Sequence, residues 1–384
     1  MKKGSRPGST GRPTWAEIDL GAIGHNARYF KSLLQPRTRL CAVVKAEGYG
    51  HGAAQVARAA LAAGADQLAV AILDEALSLR EAGFTEPILI MGYTPPAAAP
   101  LVVASHLTQT IWDMEQGQAL AAAARSLGGR AARVHLKIDT GMGRLGVTPD
   151  EAGPLAAALS RLSGLEMEGA YTHFARADAL DKTSALKQLA AFEKALMAIR
   201  GQGVNLAIRH AANSAAALTL PQTHLDMVRI GVSLYGLSPS DECGESAPLR
   251  PAMRFMTRVA FLKDVPAGTP LSYGGDYVTP GPARIATLPV GYADGWTRML
   301  TGKAEVVVGG RRAKVVGRIC MDQCLADVTR VEGLKTGDEV LLFGGPELPV
   351  EEVAARLGTI NYEVVSMVGR RVPRIYSAGA QEAI

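Results

Sequence analysis

Lys45 closes the apolar run Leu40–Val44 and is followed by Ala46-Glu47-Gly48-Tyr49-Gly50-His51-Gly52. An amine at the end of a buried strand is partly desolvated, which lowers its pKa and prepares it for Schiff-base or general-base work. The competing reading is a lysine that only snorkels to water. A second stretch, Val134-His135-Leu136-Lys137-Ile138-Asp139, alternates apolar and ionisable residues. As a strand it puts Val134, Leu136 and Ile138 on one face and His135, Lys137 and Asp139 on the other. With the aliphatic face against helices, the three ionisable groups are expected to point inward, which packing alone does not favour. Arg144, on the glycine-rich loop beyond, could grip a carboxylate with a bidentate fork. Arg229 falls opposite Val228 and Ile230; turned inward it needs a partner, and His173 is the candidate.

These residues need a scaffold that brings strand ends together. From residue 40 to about 235, β-rich runs alternate with Ala/Leu-rich helical patterns. The expected strands are Leu40–Ala46, Gln67–Asp74, Pro87–Thr94, Leu107–Asp113, Arg133–Thr140, Leu165–Phe174, Leu206–Asn213 and His224–Val232. Strict strand–helix alternation implies parallel strands joined by crossovers, and eight such units fit an α/β fold of the (β/α)8 TIM-like barrel type better than an open doubly wound sheet. After Gly236 short strands and turn residues take over, from Arg254–Lys263 to Glu339–Leu342, with one helix near Val350–Leu357; this reads as a mainly β C-terminal domain. The expected division is a flexible leader at 1–13, a strand at 14–20 that joins the C-terminal domain, a barrel at 21–240 and the β-rich domain at 241–384.

In a (β/α)8 barrel the chemistry sits at the carboxyl ends of the strands, and phosphate sites commonly lie in the loops after strands seven and eight. Those loops hold Asn213-Ser214, opening a helical alanine run, and Gly231-Val232. Ser214 offers a hydroxyl and free amides at a helix start, and Gly231 allows close approach of the backbone to an anion. A lysine after strand one and a phosphate cup after strands seven and eight suggest pyridoxal 5′-phosphate held as a lysine Schiff base.

Composition sets the outer bounds. With 48% hydrophobic and 20% charged residues the chain can bury a large core, which excludes a disordered protein. No apolar run approaches the ~20 residues of a membrane span. The 41 basic and 36 acidic residues leave a net charge of only +5, and the basic residues are scattered, so neither nucleic acid nor membrane is expected as a partner. Cys41, Cys243, Cys320 and Cys324 are too scattered for a disulfide framework and lack the His or Cys company of a metal site. No metal and a reducing cytoplasm are expected.

The stretches AVVKAEGYGHG, VHLKIDTGMGRLGV, YTHF, RHAANSAAAL, MVRIGVSLYGL, LSYGGDY, LPVGYADGW, GRICMDQ and INYEV occur in this order from Ala42 to Val364. Together they resemble the motifs of the alanine racemases, pyridoxal-phosphate enzymes of fold type III. One departure is Glu47-Gly48, where many members have Asn-Ala or Asp-Ala; Lys45 and Tyr49 stay in register. The resemblance implies a homodimer that interconverts L- and D-alanine by two bases and supplies D-alanine for peptidoglycan. It assigns Lys45 to the cofactor and to one base. Tyr273, reaching across the dimer interface, is the other; removing a proton from one face of a planar carbanion and returning it to the other calls for a base on each side. Arg229 would contact the pyridine nitrogen; a guanidinium does not readily give up a proton, so the ring stays a weak electron sink, which disfavours transamination. Tyr49, Ser214, Gly231, Val232 and Tyr362 would hold the phosphate, with His173 and Asn213 in support. Arg144 and the backbone of Met321, also from the partner, would hold the substrate carboxylate. The resemblance further implies carbamylation of Lys137, and an entry corridor of Asp178, Tyr292, Arg298, Arg318 and Ile360.

A serine or broad-specificity racemase on the same scaffold is the near alternative, since the same pair of bases serves it. A non-catalytic pyridoxal-phosphate carrier would need Lys45 and the cup but no second domain. A fold-type III decarboxylase shares both domains, and Arg229 speaks against it.

Overall fold

The computed structural model describes residues 11–243 and 247–378; most of the expected leader thus lies outside the described residues. The chain forms two compact units, one made of Ala22–Gly48 with Ala53–Arg250, the other of the N-terminal segment to Gly21, Tyr49–Gly52 and the chain from Pro251.

The first unit is a closed barrel of eight strands: Arg39–Val43, Gln67–Val70, Ile88–Ile90, Thr108–Ile111, Ala132–Lys137, Leu165–Tyr171, Ile208–His210 and Met227–Ile230. Each pairs in parallel with the next, and Arg39–Ala42 closes the ring against Met227–Ile230. Every strand is shorter than the range expected for it, chiefly because the residues past its carboxyl end turn out of the ladder to form the rim loops. Helices between the strands bury alanine-rich faces, as in Ala53–Ala62, Met114–Ser126 and Thr183–Gly201. The helix Ala99–Ala104, behind a proline-rich turn at Pro96–Ala98, was not expected from the sequence.

The chain passes from one compact unit to the other at Arg250/Pro251. Asn26 explains why: its side chain donates to the carbonyls of Leu234 (3.1 Å) and Arg250 (2.9 Å) and accepts the Arg250 N–H (2.8 Å), which ties the connecting stretch to the first barrel helix.

The second unit is built on a nine-stranded sheet in the order Phe261–Val265, Ala283–Leu288, Cys324–Asp327, Arg311–Val316, Glu305–Val308, Glu339–Phe343, Met253–Arg258, Thr14–Asp19 and Arg374–Ser377. Thr14–Asp19 pairs antiparallel with Met253–Arg258 and parallel with Arg374–Ser377, and Leu20 already opens a helix. The run expected as one strand at Arg254–Lys263 is two. The chain breaks at Val259-Ala260, whose amides donate to Asp338 and Thr287, so the two halves pair with different neighbours. The helix Asn361–Ser366 follows the expected helix Val350–Leu357. A separate two-stranded ribbon, Pro270–Leu271 with Tyr277–Val278, carries the turn Tyr273–Gly275 at its tip. Among the described residues no helix is long and apolar enough to cross a membrane.

Candidate active site

The first barrel strand ends at Val43, and the chain then enters a left-handed turn: Ala46, Glu47, Gly48 and Tyr49 have φ of 52°, 55°, 59° and 51°. For a residue with a side chain this conformation costs roughly 1–2 kcal/mol, so the turn must be held from outside. The Gly48 amide donates to Val44 O (2.9 Å), Ala53 N–H donates to Glu47 Oε1 (3.2 Å), and Ala46 N–H donates to Glu75 Oε1 (2.6 Å). Gly48 suits this geometry. A Cβ there would lie 3.2 Å from Ala53 Cα in a backbone conformation that disfavours one. Lys45 stands at the root of the turn. Burial, then the charge of Arg144, pulls its amine below the ordinary lysine range, against the opposing charge of Glu75.

The fifth to eighth strands supply a buried polar core. Arg229, almost fully buried, donates from Nη1 to His210 Nδ1 (2.9 Å) and from Nη2 to the carbonyls of Thr172 and Ala211 (3.0 Å each), with His173 Nδ1 at 3.3 Å. All these partners are uncharged. His210 Nε2 lies 2.8 Å from His135 Nδ1, and His135 Nε2 lies 3.0 Å from Glu168 Oε2. The proton positions follow by elimination. Arginine can only donate, so His210 Nδ1 accepts and its Nε2 carries the hydrogen; His135 then accepts at Nδ1 and donates from Nε2 to the carboxylate. Burial, reinforced by Arg229, His135 and Lys137, holds His210 well below the usual histidine range. Burial works to raise the Glu168 carboxyl, but the hydrogen bond from His135, the charge of Arg133 and the hydrogen bond from Thr108 outweigh it and leave it lowered.

Tyr171 packs into the same core. Its ring stacks on His210 (centroids 4.6 Å apart, 12° between planes), while Arg229 Cζ and Lys137 Nζ lie 5.0 Å and 5.1 Å from its centroid. Its hydroxyl donates to Met91 O (3.2 Å) and meets Thr110 Oγ1 at 3.1 Å. Lys137 is buried, and burial followed by the charge of Arg229 lowers its amine to about 7. His173 is likewise held well below its ordinary value by burial, then by Arg229, Lys137, Arg144 and Lys45.

Asp139 departs from the expectation that it joins His135 and Lys137 inside the barrel. The strand ends at Lys137, and Asp139 Oδ1 instead accepts the amides of Gly141, Met142 and Gly143 (2.9–3.1 Å), fixing the loop that leads to the exposed Arg144. At the ends of the seventh and eighth strands, Gly231 N–H donates to Ser214 Oγ (3.0 Å), and Asn213 Oδ1 caps the helix Ser214–Thr219 by accepting Ala216 N–H. Val232 opens a short 3-10 turn behind Gly231. Asp178, half-buried after the sixth strand, is bound through its carbonyl by Ser240.

The remaining expected residues belong to the second unit. Tyr49 and Tyr362 are ring neighbours there, with centroids 6.4 Å apart. Tyr273, at the ribbon tip, is 72% exposed, and Met321, Tyr292 and Ile360 are exposed as well. Ser272, at φ 64°, leads into the Tyr273 turn and donates its hydroxyl to Arg318 O (2.6 Å); Arg318 pairs with Asp276 (2.6 Å). The carbonyls of Cys320 and Met321 accept the amides of Tyr292 and Ala293, a crossing so close that a Cβ on Gly291 would fall 2.2 Å from Cys320 O. Arg298 is exposed in the turn Arg298–Leu300.

Sequence reasoning missed His210, Glu168 and Glu75. Glu168, an ionisable residue within the strand Leu165–Tyr171, carried a usable signal; His210 ends a strand of only three residues and Glu75 lies in the first turn of the helix Leu73–Glu81, so neither stood out.

This architecture and polar core define a (β/α)8-barrel enzyme whose chain continues into a mainly β C-terminal domain. The alanine racemase N-terminal domain model matches residues 18–239 and the C-terminal domain model residues 252–376. The chain is 57% identical to the alanine racemase of Desulfovibrio desulfuricans, over 95% of this chain and 98% of that one. The structure of the alanine racemase of Clostridium difficile superimposes with a TM-score of 0.94 at 42% identity, covering 96% of this chain and 97% of that chain. That of Bacillus anthracis alanine racemase with bound L-Ala-P superimposes with a TM-score of 0.91 at 40% identity and 96% coverage of each. The chain belongs to the alanine racemase family.

Proposed function

We propose that this protein interconverts L- and D-alanine, with pyridoxal 5′-phosphate held on Lys45, and so provides D-alanine for peptidoglycan. The observation that carries this reading is Arg229: a guanidinium buried among neutral partners and fixed by His210, a setting made to face an uncharged ring nitrogen rather than to protonate it. The barrel residues fit the cofactor. Ser214, Gly231 and Val232 would hold the phosphate, with Asn213 capping the helix behind them and His173 kept neutral beside Arg229; family resemblance assigns Tyr49 and Tyr362 to the phosphate as well. When bound, the cofactor supplies an electron sink that acidifies the α-proton of the amino acid.

Lys45, with its amine lowered by burial and by Arg144, takes or returns the proton on one face. Tyr273 serves the other face, and Arg144 with the backbone of Met321 grips the substrate carboxylate. Lys137, lowered to about 7, would attack carbon dioxide as the neutral amine, form an N–C bond and release a proton to solvent; the carbamate anion would turn the present repulsion with Arg144 into an attraction that orients the fork. Asp178, Tyr292, Arg298, Arg318 and Ile360 form the entry corridor. Tyr273 and the backbone of Met321 are assigned to the second copy of a homodimer; the exposure of Tyr273 on one protomer supports this, since a base needs a desolvated setting. Four free cysteines support a cytoplasmic setting.

The test is polarimetry on enantiopure L-alanine, L-serine and L-lysine with the cofactor-loaded enzyme. Decay of alanine rotation to zero is expected to be the fastest of the three. Faster serine turnover would replace the assignment by a serine or broad-specificity racemase, and carbon dioxide release by a decarboxylase.

A further inference from the structure

The Glu75 carboxylate spans two rim loops of the barrel. Its Oε1 accepts the Ala46 amide (2.6 Å), and its Oε2 accepts the amides of Ala71 (2.8 Å) and Ile72 (3.3 Å), at the end of the second strand and the start of the helix Leu73–Glu81. Ala46 is the first residue of the left-handed turn and the immediate neighbour of Lys45. We propose that Glu75 is a positioning residue for Lys45, clamping the strained turn that presents the lysine to the end of the neighbouring strand.

The inference rests on Lys45 being the reactive lysine of the proposed reaction. The turn is unfavourable for Ala46, Glu47 and Tyr49, and of the bonds that hold it, the one to Glu75 anchors its first residue to a different barrel strand. Glu75 also acts on the amine itself. The field at Lys45 combines burial and Arg144, which disfavour the ammonium, with Glu75, which favours it. Glu47, the other carboxylate on the turn, is engaged with Ala53 N–H. One side chain thus sets both the direction of Lys45 and part of its charge balance. Glutamine cannot replace it, because a single carbonyl oxygen can accept on only one side of the clamp and carries no charge.

The experiment compares the wild type with Glu75→Gln and Glu75→Asp. The pH at which Lys45 becomes reactive is read in the cofactor-stripped full chain by competitive acetylation and mass spectrometry, and kcat and KM for alanine in the loaded enzyme. For Glu75→Gln the acetylation midpoint of Lys45 is expected to move to lower pH, because the favouring anion is gone. kcat should fall about tenfold or more with KM within about twofold. Glu75→Asp keeps the charge but is one methylene too short for both loops; its midpoint should stay near wild type while kcat falls. A Glu75→Gln enzyme with unchanged midpoint and kcat overturns the proposal, and so does a loss of kcat with no change of midpoint, which marks a merely structural role. Should Glu75→Gln not fold, wild-type kcat in Glu75→Asp overturns it and a fall in kcat with a retained midpoint supports it. The acetylation arm reads Lys45 directly, so it reports on the clamp even if the protein racemises nothing.

Discussion

His135 Nδ1 and His210 Nε2 lie 2.8 Å apart inside the barrel, with their shared proton assigned to His210 by groups at the two ends of the chain. Arg229 can only donate and ionised Glu168 can only accept, so the sequence Arg229–His210–His135–Glu168 runs in one direction.

Removing the terminal acceptor should therefore be felt at the arginine. In Glu168→Ala the His135 Nε2–H loses its partner in a buried site, and we expect a loss of about 1–3 kcal/mol in urea unfolding together with reduced kcat. Glu168→Gln keeps an oxygen that can accept the same hydrogen and should be clearly milder in both respects. Equal effects of the two variants would show that the direction of the chain is unimportant.

Lys137 should titrate near neutrality. With its amine at about 7, roughly nine-tenths of it is neutral at a pH one unit higher, and only the neutral form attacks carbon dioxide. Isotopically labelled bicarbonate should thus give a carbamate NMR signal that grows as the pH rises through 7, and that Lys137→Gln abolishes. In the absence of carbon dioxide the same shift has a stability consequence. The unfolded lysine, at its ordinary 10.5, binds a proton that the folded one has released, so this group makes stability rise with pH from about 7 to about 10.5. A Lys137→Gln variant that keeps the full slope across this window would contradict the shift.

Tyr273→Phe separates the two bases. We expect racemisation to fall by about 10²–10⁴, while one enantiomer of alanine still exchanges its α-hydrogen with solvent through Lys45. Because phenylalanine keeps the ring and removes only the hydroxyl, stability should change by no more than about 0.5 kcal/mol. Retained racemisation, or exchange lost for both enantiomers, would remove Tyr273 from its role.

The barrel was legible because parallel strands need crossover helices, and that alternation is written in the apolar runs; Gln67–Val70 and Leu165–Tyr171 begin at the residues the pattern marks. Lys45 and Arg229 were legible for the same reason, as charges where a strand should be apolar. What stayed hidden depends on pairing and backbone conformation. The break at Val259-Ala260 falls inside the run expected as one strand, Arg254–Lys263, and shows only in the partners of the two amides. The strand Ile208–His210 has three residues, too few for alternation to turn His210 inward on paper. A left-handed turn at Ala46-Glu47 has no glycine in its first two positions to announce it, and with it went the reason for Glu75.

The most direct measurement is borohydride reduction of the protein loaded with pyridoxal 5′-phosphate, followed by peptide mapping. The reduced pyridoxyl group is expected on the peptide that contains Lys45, with visible absorbance lost in step with activity. A label on Lys137 or another lysine, or no label at all, would contradict the role of Lys45.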